Sequence, residues 1–555
     1  MCSREQFQSL CVNNQLLVYC MLCTIVFVLI GCDATWGQSS DNLQGTKMPA
    51  TKQSDDAGAR PIQWVLGPIG AGDAVRNIVF REPSNSKLPG GKRPQKIVVP
   101  RPMIQGAPGA IYIDKDGSQY VGGSFSGKRD FDTGLGFDFH EAVGTEDGFV
   151  TCFDRNGKHR WTRTFGAKEG VDVRGIAVSH GVVYAACDES GGHVVILAMD
   201  GSNGTTKSGF GHSGCQMFRC GEIDRAATIR SHGDIIYVAI RCLNILAGKL
   251  PPLAANEEPP AIKWPSYSFT VVLAIDRTSG SAVTGFGTNG VQTIGNAVAL
   301  KDALSAKVSQ TRVEPFALTV SGSTLYIVGS CDGSSLGTGG QGTMTAGSSS
   351  KAFIAALDTQ TGAAVSSFGH AGMVLMDGDI TEANDVVVSG GSLYLTGTLR
   401  HGSHEKAFLA AMDAGTGTLS QQFGTAGIKV FGPSDWESGW SIRVDGQVVY
   451  IAGSYINQRA EGVYVAAFDR TSGLPVRSFG TSGTRLIEGL SYGNQGRMGR
   501  FGDTLFLVAR TEPSLESEKH EIMIGNRIIK HGDMNGFLFR LRKDGTVDSE
   551  RGQND

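Results

Sequence analysis

A tandem repeat constrains this chain more than any other feature. Between Ile380 and Thr484 one pattern is written twice. The first copy runs Asp385-Val-Val-Val-Ser389, Gly391-Ser-Leu-Tyr-Leu-Thr-Gly397, Ala407-Phe-Leu-Ala-Ala-Met-Asp413 and Phe423-Gly424-Thr-Ala-Gly427. The second runs Ser441 to Gly453, Val463-Tyr-Val-Ala-Ala-Phe-Asp469 and Phe479-Gly480-Thr-Ser-Gly483. Short apolar or alternating runs broken by Gly, Asp and Ser read as strands, four per copy. A four-stranded repeat of this length predicts a propeller blade. The chain is therefore expected to be all-β, a seven-bladed β-propeller of four-stranded antiparallel blades called a, b, c and d.

Taken in order, blade one spans Ala110 to Gly166, blade two Gly175 to Gly211, blade three Ala226 to Gly287 and blade four Phe316 to Gly369. The opening pair makes blades five and six. Blade seven runs from Arg497 to Arg542 and stops at Asp544-Gly545, before a d strand. Ile62-Gln-Trp64-Val-Leu66-Gly67 matches a d strand with nothing before it. This N-terminal outer strand is expected to complete blade seven and close the ring, which removes an exposed sheet edge. Gly is abundant at 77 residues while Pro stays at 18, and the glycines recur at a–b hairpins such as Ser321-Gly322 and Asp445-Gly446. Tight hairpins need positive φ, which Gly supplies without steric penalty.

Phe-Gly-x-x-Gly recurs at Phe210, Phe286, Phe368, Phe423 and Phe479, after an Ala-x-Asp turn such as Ala356-Leu357-Asp358. The pattern resembles the delta-60 repeat of bacterial surface and secreted propellers. Blade one, with Gly122-Gly-Ser-Phe-Ser-Gly127 and Trp161-Thr-Arg-Thr-Phe-Gly166, is similar to the related repeat of predicted seven-bladed propellers. The resemblance covers about residues 61–548 and implies no catalytic activity.

The front of the chain reads as a targeting segment. Leu16 to Gly31 has the length of a signal-peptide core and is short for a membrane span. It ends in Leu29-Ile30-Gly31-Cys32, which resembles the lipobox of bacterial lipoproteins. That resemblance implies lipidation of Cys32, a membrane anchor and an extracytoplasmic place in the bacterial cell envelope; a secretory signal cut near Gly37 and an uncleaved anchor are the other readings. The expected organisation is a signal peptide at 1–31, a flexible tether at 32–60, the propeller at 61–548 and a tail at 549–555. A formal net charge of −3 argues against nucleic-acid binding.

Acidic residues precede most a strands: Asp172, Asp224, Glu314, Glu382 and Glu437. They are expected near one mouth of the central channel. Two readings stand: a carboxylate ring that holds a cation through oxygen, or residues that cap backbone N–H groups of their own turns. Asp130, Asp132 and Asp138 form a second acidic cluster whose spacing fits no EF-hand; calcium is its candidate ion, a solvated loop the other reading. Cys215 and Cys220 make a candidate disulfide for an oxidising compartment. Gly489-Leu-Ser491-Tyr-Gly493 lies between blades, outside the strand–turn–helix setting that a nucleophile elbow needs. No haem, zinc or phosphate-loop motif is present, and no cofactor is expected.

Long insertions gather in the b–c and d–a connections, which share one face of a propeller. Loops on a rigid scaffold are where binding tends to live. The expectation is a non-enzymatic, membrane-anchored propeller that binds a protein or glycan on that face. The alternatives are a quinoprotein-like enzyme, since Ala356 to Gly362 resembles the quinoprotein turn, and a scaffold in outer-membrane protein assembly. Only Trp64 and Trp161 fall where quinoprotein turns carry tryptophan.

Overall fold

The computed structural model describes residues 107–132, 138–166, 170–190, 192–218, 223–243, 268–295, 312–332, 335–337, 344–345, 349–402, 404–432, 436–457, 461–488, 497–510, 522–524, 527–529 and 536–547. Cys32, the tether, the Ile62–Gly67 segment, Cys220, the nucleophile-elbow letters and the stretch from Asn296 to Ala306, whose spacing reads as helical, lie outside the described residues, as does the polypeptide beyond 547.

The described residues are all β, in antiparallel sheets, without a helix. Two sheets are four-stranded: Ala107–Ile113, Gln119–Phe125, Asp147–Phe153 and His159–Phe165, then Val171–Ser179, Val182–Glu189, His193–Asp200 and Cys215–Phe218. Two eight-stranded sheets follow, each made of two such units in series. The units of each pair touch in parallel register only where Ser268 faces Arg312 and where Glu405 faces Trp436. A three-stranded sheet, Arg497–Phe501, Thr504–Arg510 and Gly536–Leu541, comes last.

The first strands are Ala107–Ile113, Val171–Ser179, Ile223–His232, Arg312–Ser321, Ile380–Ser389, Trp436–Asp445 and Arg497–Phe501. Each packs on the next, and the last packs back on Ala107–Ile113. The cores lie between successive units: one holds Tyr237, Phe286, Leu318 and Phe353, the next Tyr326, Phe368, Val386 and Phe408.

The hairpins after the first strands turn as glycine predicts. Gly233, Gly322, Gly390, Gly446 and Gly502 have φ between 53° and 59°, and His180 takes the same place at 50°. The Phe-Gly-x-x-Gly motif does something other than expected. It is not the outer strand but the turn that precedes it, so each unit ends later than the repeat suggests. Phe286 and Gly287, where the repeat ends blade three, are followed by the outer strand Val291–Ile294. Gly287 sits at φ 54°, and a Cβ there would lie 2.1 Å from the Val291 carbonyl, so the turn into its own unit's outer strand admits only glycine.

The motif also clamps neighbouring units. Tyr237 packs on Phe286 and donates its hydroxyl to the Thr359 carbonyl of the next unit at 2.7 Å. The Gly287 amide donates to Thr361 of the same turn at 2.7 Å. Tyr184 to Arg277, Tyr326 to Ala414 and Tyr394 to Arg470 repeat the tyrosine bond. At the first seam Trp161 Nε1 joins Tyr120 on the Gly201 carbonyl.

Candidate functional site

Five of the first strands carry a β-bulge at the same position. Register shifts occur at Val173/Gly175, Ala226/Thr228, Pro315/Ala317, Ala383/Asp385 and Gly439/Ser441. In each of these the skipped residue stands six before the left-handed hairpin residue. A bulge twists a strand and re-aims its side chains. The residues just past it determine what the first strands present to one another and to the space they enclose.

Arg230 and Arg443 stand three residues before the hairpin turn in the third and sixth units. Asp385 and Arg497 stand five before it in the fifth and seventh. These groups, from four units, act on one another electrostatically: Arg230 feels Asp385, Arg443, Arg497 and Tyr112. Tyr112 comes from the first unit, so five units contribute to the cluster.

Asp385 is buried and is the fixed point of the cluster. Its Oδ2 accepts from Ser441 Oγ at 3.1 Å, the Ile442 amide at 3.0 Å and Arg443 Nη1 at 3.0 Å. Burial pushes this carboxyl up, but Arg443, Arg497 and Arg230, with the Ile442 amide, outweigh it and hold it below the usual range. Arg230 and Arg497 are partly exposed and form no ion pair among the described residues. Burial lowers both, Arg230 to about 10. Burial, then Asp114, raises the phenol of Tyr112 against the pull of Arg230. Arg174, the bulged residue of the second unit, has carboxylates of its own, Asp172 at 3.3 Å and Asp188 at 2.8 Å.

The acidic residues singled out in the sequence stand at the starts of successive first strands. Asp172 pairs with Arg174. Glu314 is buried between Arg241 at 2.5 Å and Arg312 at 2.6 Å, which outweigh the upward push of burial on its carboxyl. Glu437 is buried with Lys406 Nζ at 3.2 Å. Burial, then Glu405, raises Glu382. Asp224 lies in its strand Ile223–His232.

In the first unit's insertion, Asp130 Oδ1 accepts the amides of Asp132 and Asp138 at 3.1 and 2.8 Å. Asp138 lies between His140 at 3.1 Å and His159 at 3.2 Å. Among the described residues no group of three or more His, Cys, Asp or Glu is arranged to hold a metal ion. Cys215 carries a free thiol.

The arginines escaped the sequence reading because two units share one position and a third uses another. Their signal was an isolated Arg in strands otherwise built from small and apolar residues.

No protein-family model matches the chain, and no curated protein matches it. Solved structures do. The polysaccharide lyase Uly1 is similar at 11% identity over 83% of this chain and 94% of its own, with a TM-score of 0.39. The β-propeller domain of the Trilobed protease from Pyrococcus furiosus, described as having an open velcro topology, is similar at 8% identity over 81% of this chain and 100% of its own, with a TM-score of 0.36. Phage phi92 endosialidase is similar at 10% identity over 81% of this chain and 68% of its own, with a TM-score of 0.36. These neighbours include propeller folds, and two of the three are enzymes by name. The expectation of a non-catalytic binding or scaffold protein is corrected accordingly. The lack of a familiar catalytic motif was its main support, and that lack does not exclude an enzyme.

Proposed function

We propose that the protein is an enzyme acting on an acidic polysaccharide, whose anionic groups it grips with Arg230 and Arg497 in the lumen of a seven-bladed β-propeller. The observation that carries this reading is the charge balance. Three guanidinium groups surround one carboxylate, Asp385. Enclosed cations are costly without partners, and an anionic ligand relieves that cost. Arginine suits carboxylate and sulfate because its planar fork donates two parallel bonds. Neutralising an anionic substituent also favours charge that develops beside it during reaction. Tyr112, whose phenol burial keeps protonated and which acts electrostatically on Arg230, is assigned the role of proton donor.

The circuit of first strands supports the propeller, as does the repeated Tyr–turn clamp. The last sheet has three described strands where the earlier units have four. In this reading Ile62 to Gly67 supplies the fourth, the repeats are of the delta-60 kind, and the propeller occupies 61–548 between a tether at 32–60 and a tail at 549–555. A lipid on Cys32, after removal of residues 1–31, holds the enzyme at the envelope, where the polymer meets it on the face of the long connections.

The test is digestion. The full chain is incubated with uronate-bearing, sulfated, sialylated and neutral polysaccharides, and new chain ends are measured. Acidic polymers should shorten while neutral ones stay intact, and Arg230→Gln with Arg497→Gln should abolish the reaction. Equal cleavage of neutral polymers, no cleavage of any, or full activity in the double variant sinks the proposal.

A further inference from the structure

The same arginines set how much negative charge a ligand brings, an inference that rests on the lumen being the substrate site. Arg443 is matched: Asp385 lies 3.0 Å from its Nη1. Arg174 is matched by Asp172 and Asp188. Arg230 and Arg497 bond only to neutral acceptors. Arg230 Nη1 donates to Thr228 Oγ1 at 3.1 Å and to the Ile229 carbonyl at 2.8 Å. Arg497 Nη1 donates to the Trp440 carbonyl at 3.3 Å.

A guanidinium carries five N–H donors on three nitrogens. In both residues the Nε and Nη2 donors have no protein acceptor among the described residues, and both side chains keep contact with solvent. They stand on strands from opposite parts of the circuit, the third unit and the seventh, yet lie within electrostatic reach of each other. Asp385 cannot serve them by swinging away from Arg443, because the Ile442 amide and the Ser441 hydroxyl hold the same oxygen. Their shortfall is two negative charges.

We propose that the lumen binds two negative charges at once, one on Arg230 and one on Arg497. They are carried either by acidic groups on adjacent sugar units, such as a carboxylate beside a sulfate ester, or by a single doubly charged group. A polymer with one isolated charge satisfies only one arginine and leaves the other unpaired. Substrate choice then follows charge density along the polymer rather than the identity of any one sugar.

The experiment is calorimetric titration of the full chain with sulfate and with acetate at constant ionic strength. Sulfate should bind about tenfold more tightly, the weight of one added charge-assisted bond. Arg230→Gln and Arg497→Gln should each erase that preference, while Arg497→Lys, which keeps the charge, should retain it. Thermal melts confirm that each variant is folded. Equal affinity for the two ions in the native protein overturns the inference, as does a preference that survives in both Gln variants. The two proposals fail separately. Cleavage of acidic polymers without sulfate preference removes this inference alone. Sulfate preference without cleavage leaves the two-charge lumen in place and removes the enzyme.

Discussion

Ser441 and Asp385 sit on neighbouring first strands, and the Ser441 hydroxyl donates to Asp385 Oδ2 at 3.1 Å while accepting the Met498 amide at 3.1 Å. The relay crosses two seams in succession. Four residues before the hairpin turn a backbone amide faces the preceding unit, and that unit's side chain answers it: Asp385 for Ile442, Ser441 for Met498. In the second unit the place belongs to Gly175, and a Cβ there would point at the Ile229 amide from 3.2 Å.

Asp385→Ala should therefore be among the most damaging single changes in the first strands. It strips acceptors from the Ile442 amide and the Ser441 hydroxyl and leaves Arg443 without its counter-charge. Breaking one side of a buried ion pair costs about 3–5 kcal/mol. Asp385→Asn keeps one acceptor and should cost less, about 1–3 kcal/mol. Urea unfolding of the two variants beside the native chain checks the order.

Removing the neighbouring cations should act in the other direction. Arg230→Met and Arg497→Met each delete an enclosed charge without a carboxylate partner, so stability should rise by about 1 kcal/mol. Binding of acidic polymers should fall in the same variants. Such opposition of stability and function marks a site shaped for a ligand. A loss of stability in both variants would show that the arginines serve the fold.

The seams make a second, larger target. Tyr237→Phe removes the buried bond to Thr359 and should cost about 1 kcal/mol. Phe286→Ala removes the ring on which Tyr237 packs and should cost about 3–5 kcal/mol. The chain already makes the milder change once, since Phe506 takes the tyrosine's place in the last sheet. Denaturant midpoints of the two variants check the ratio.

This contrast explains what was legible in the sequence. Residues that serve every unit recur, and recurrence is visible: the hairpin glycines, the buried Phe of Phe-Gly-x-x-Gly, and the turn Asp, whose oxygen in Asp358 accepts the amides of Gln360 and Thr361. The outer strands were misplaced because they are short, as Met373–Leu375 is, and half-buried, so the louder turn before them was read as the strand. The acidic series was also visible, and two of its members, Glu314 and Glu437, are buried against cations. The arginine cluster breaks the repeat at single positions in different units. Only the circuit of first strands brings Arg230 near Arg497, and no spacing along the chain encodes that meeting.

Asp138 fixes the pH dependence of the first unit's insertion. Burial pushes its carboxyl up, yet the polar neighbours His140, His159 and Thr162 outweigh this and hold it far below the ordinary range. A carboxyl depressed on folding stabilises fully above its unfolded value, about 3.9, and the contribution is lost as pH falls through the folded value. Asp138→Asn should therefore be less stable than the native chain near neutrality, and the gap should close on acidification below about pH 4. The strands it ties, Phe139–Glu141 and His159–Phe165, should loosen first. Amide exchange in those strands, followed with urea midpoints across the same pH range, reads both effects. A gap that stays constant into acid would mean that Asp138 acts by shape and not by charge.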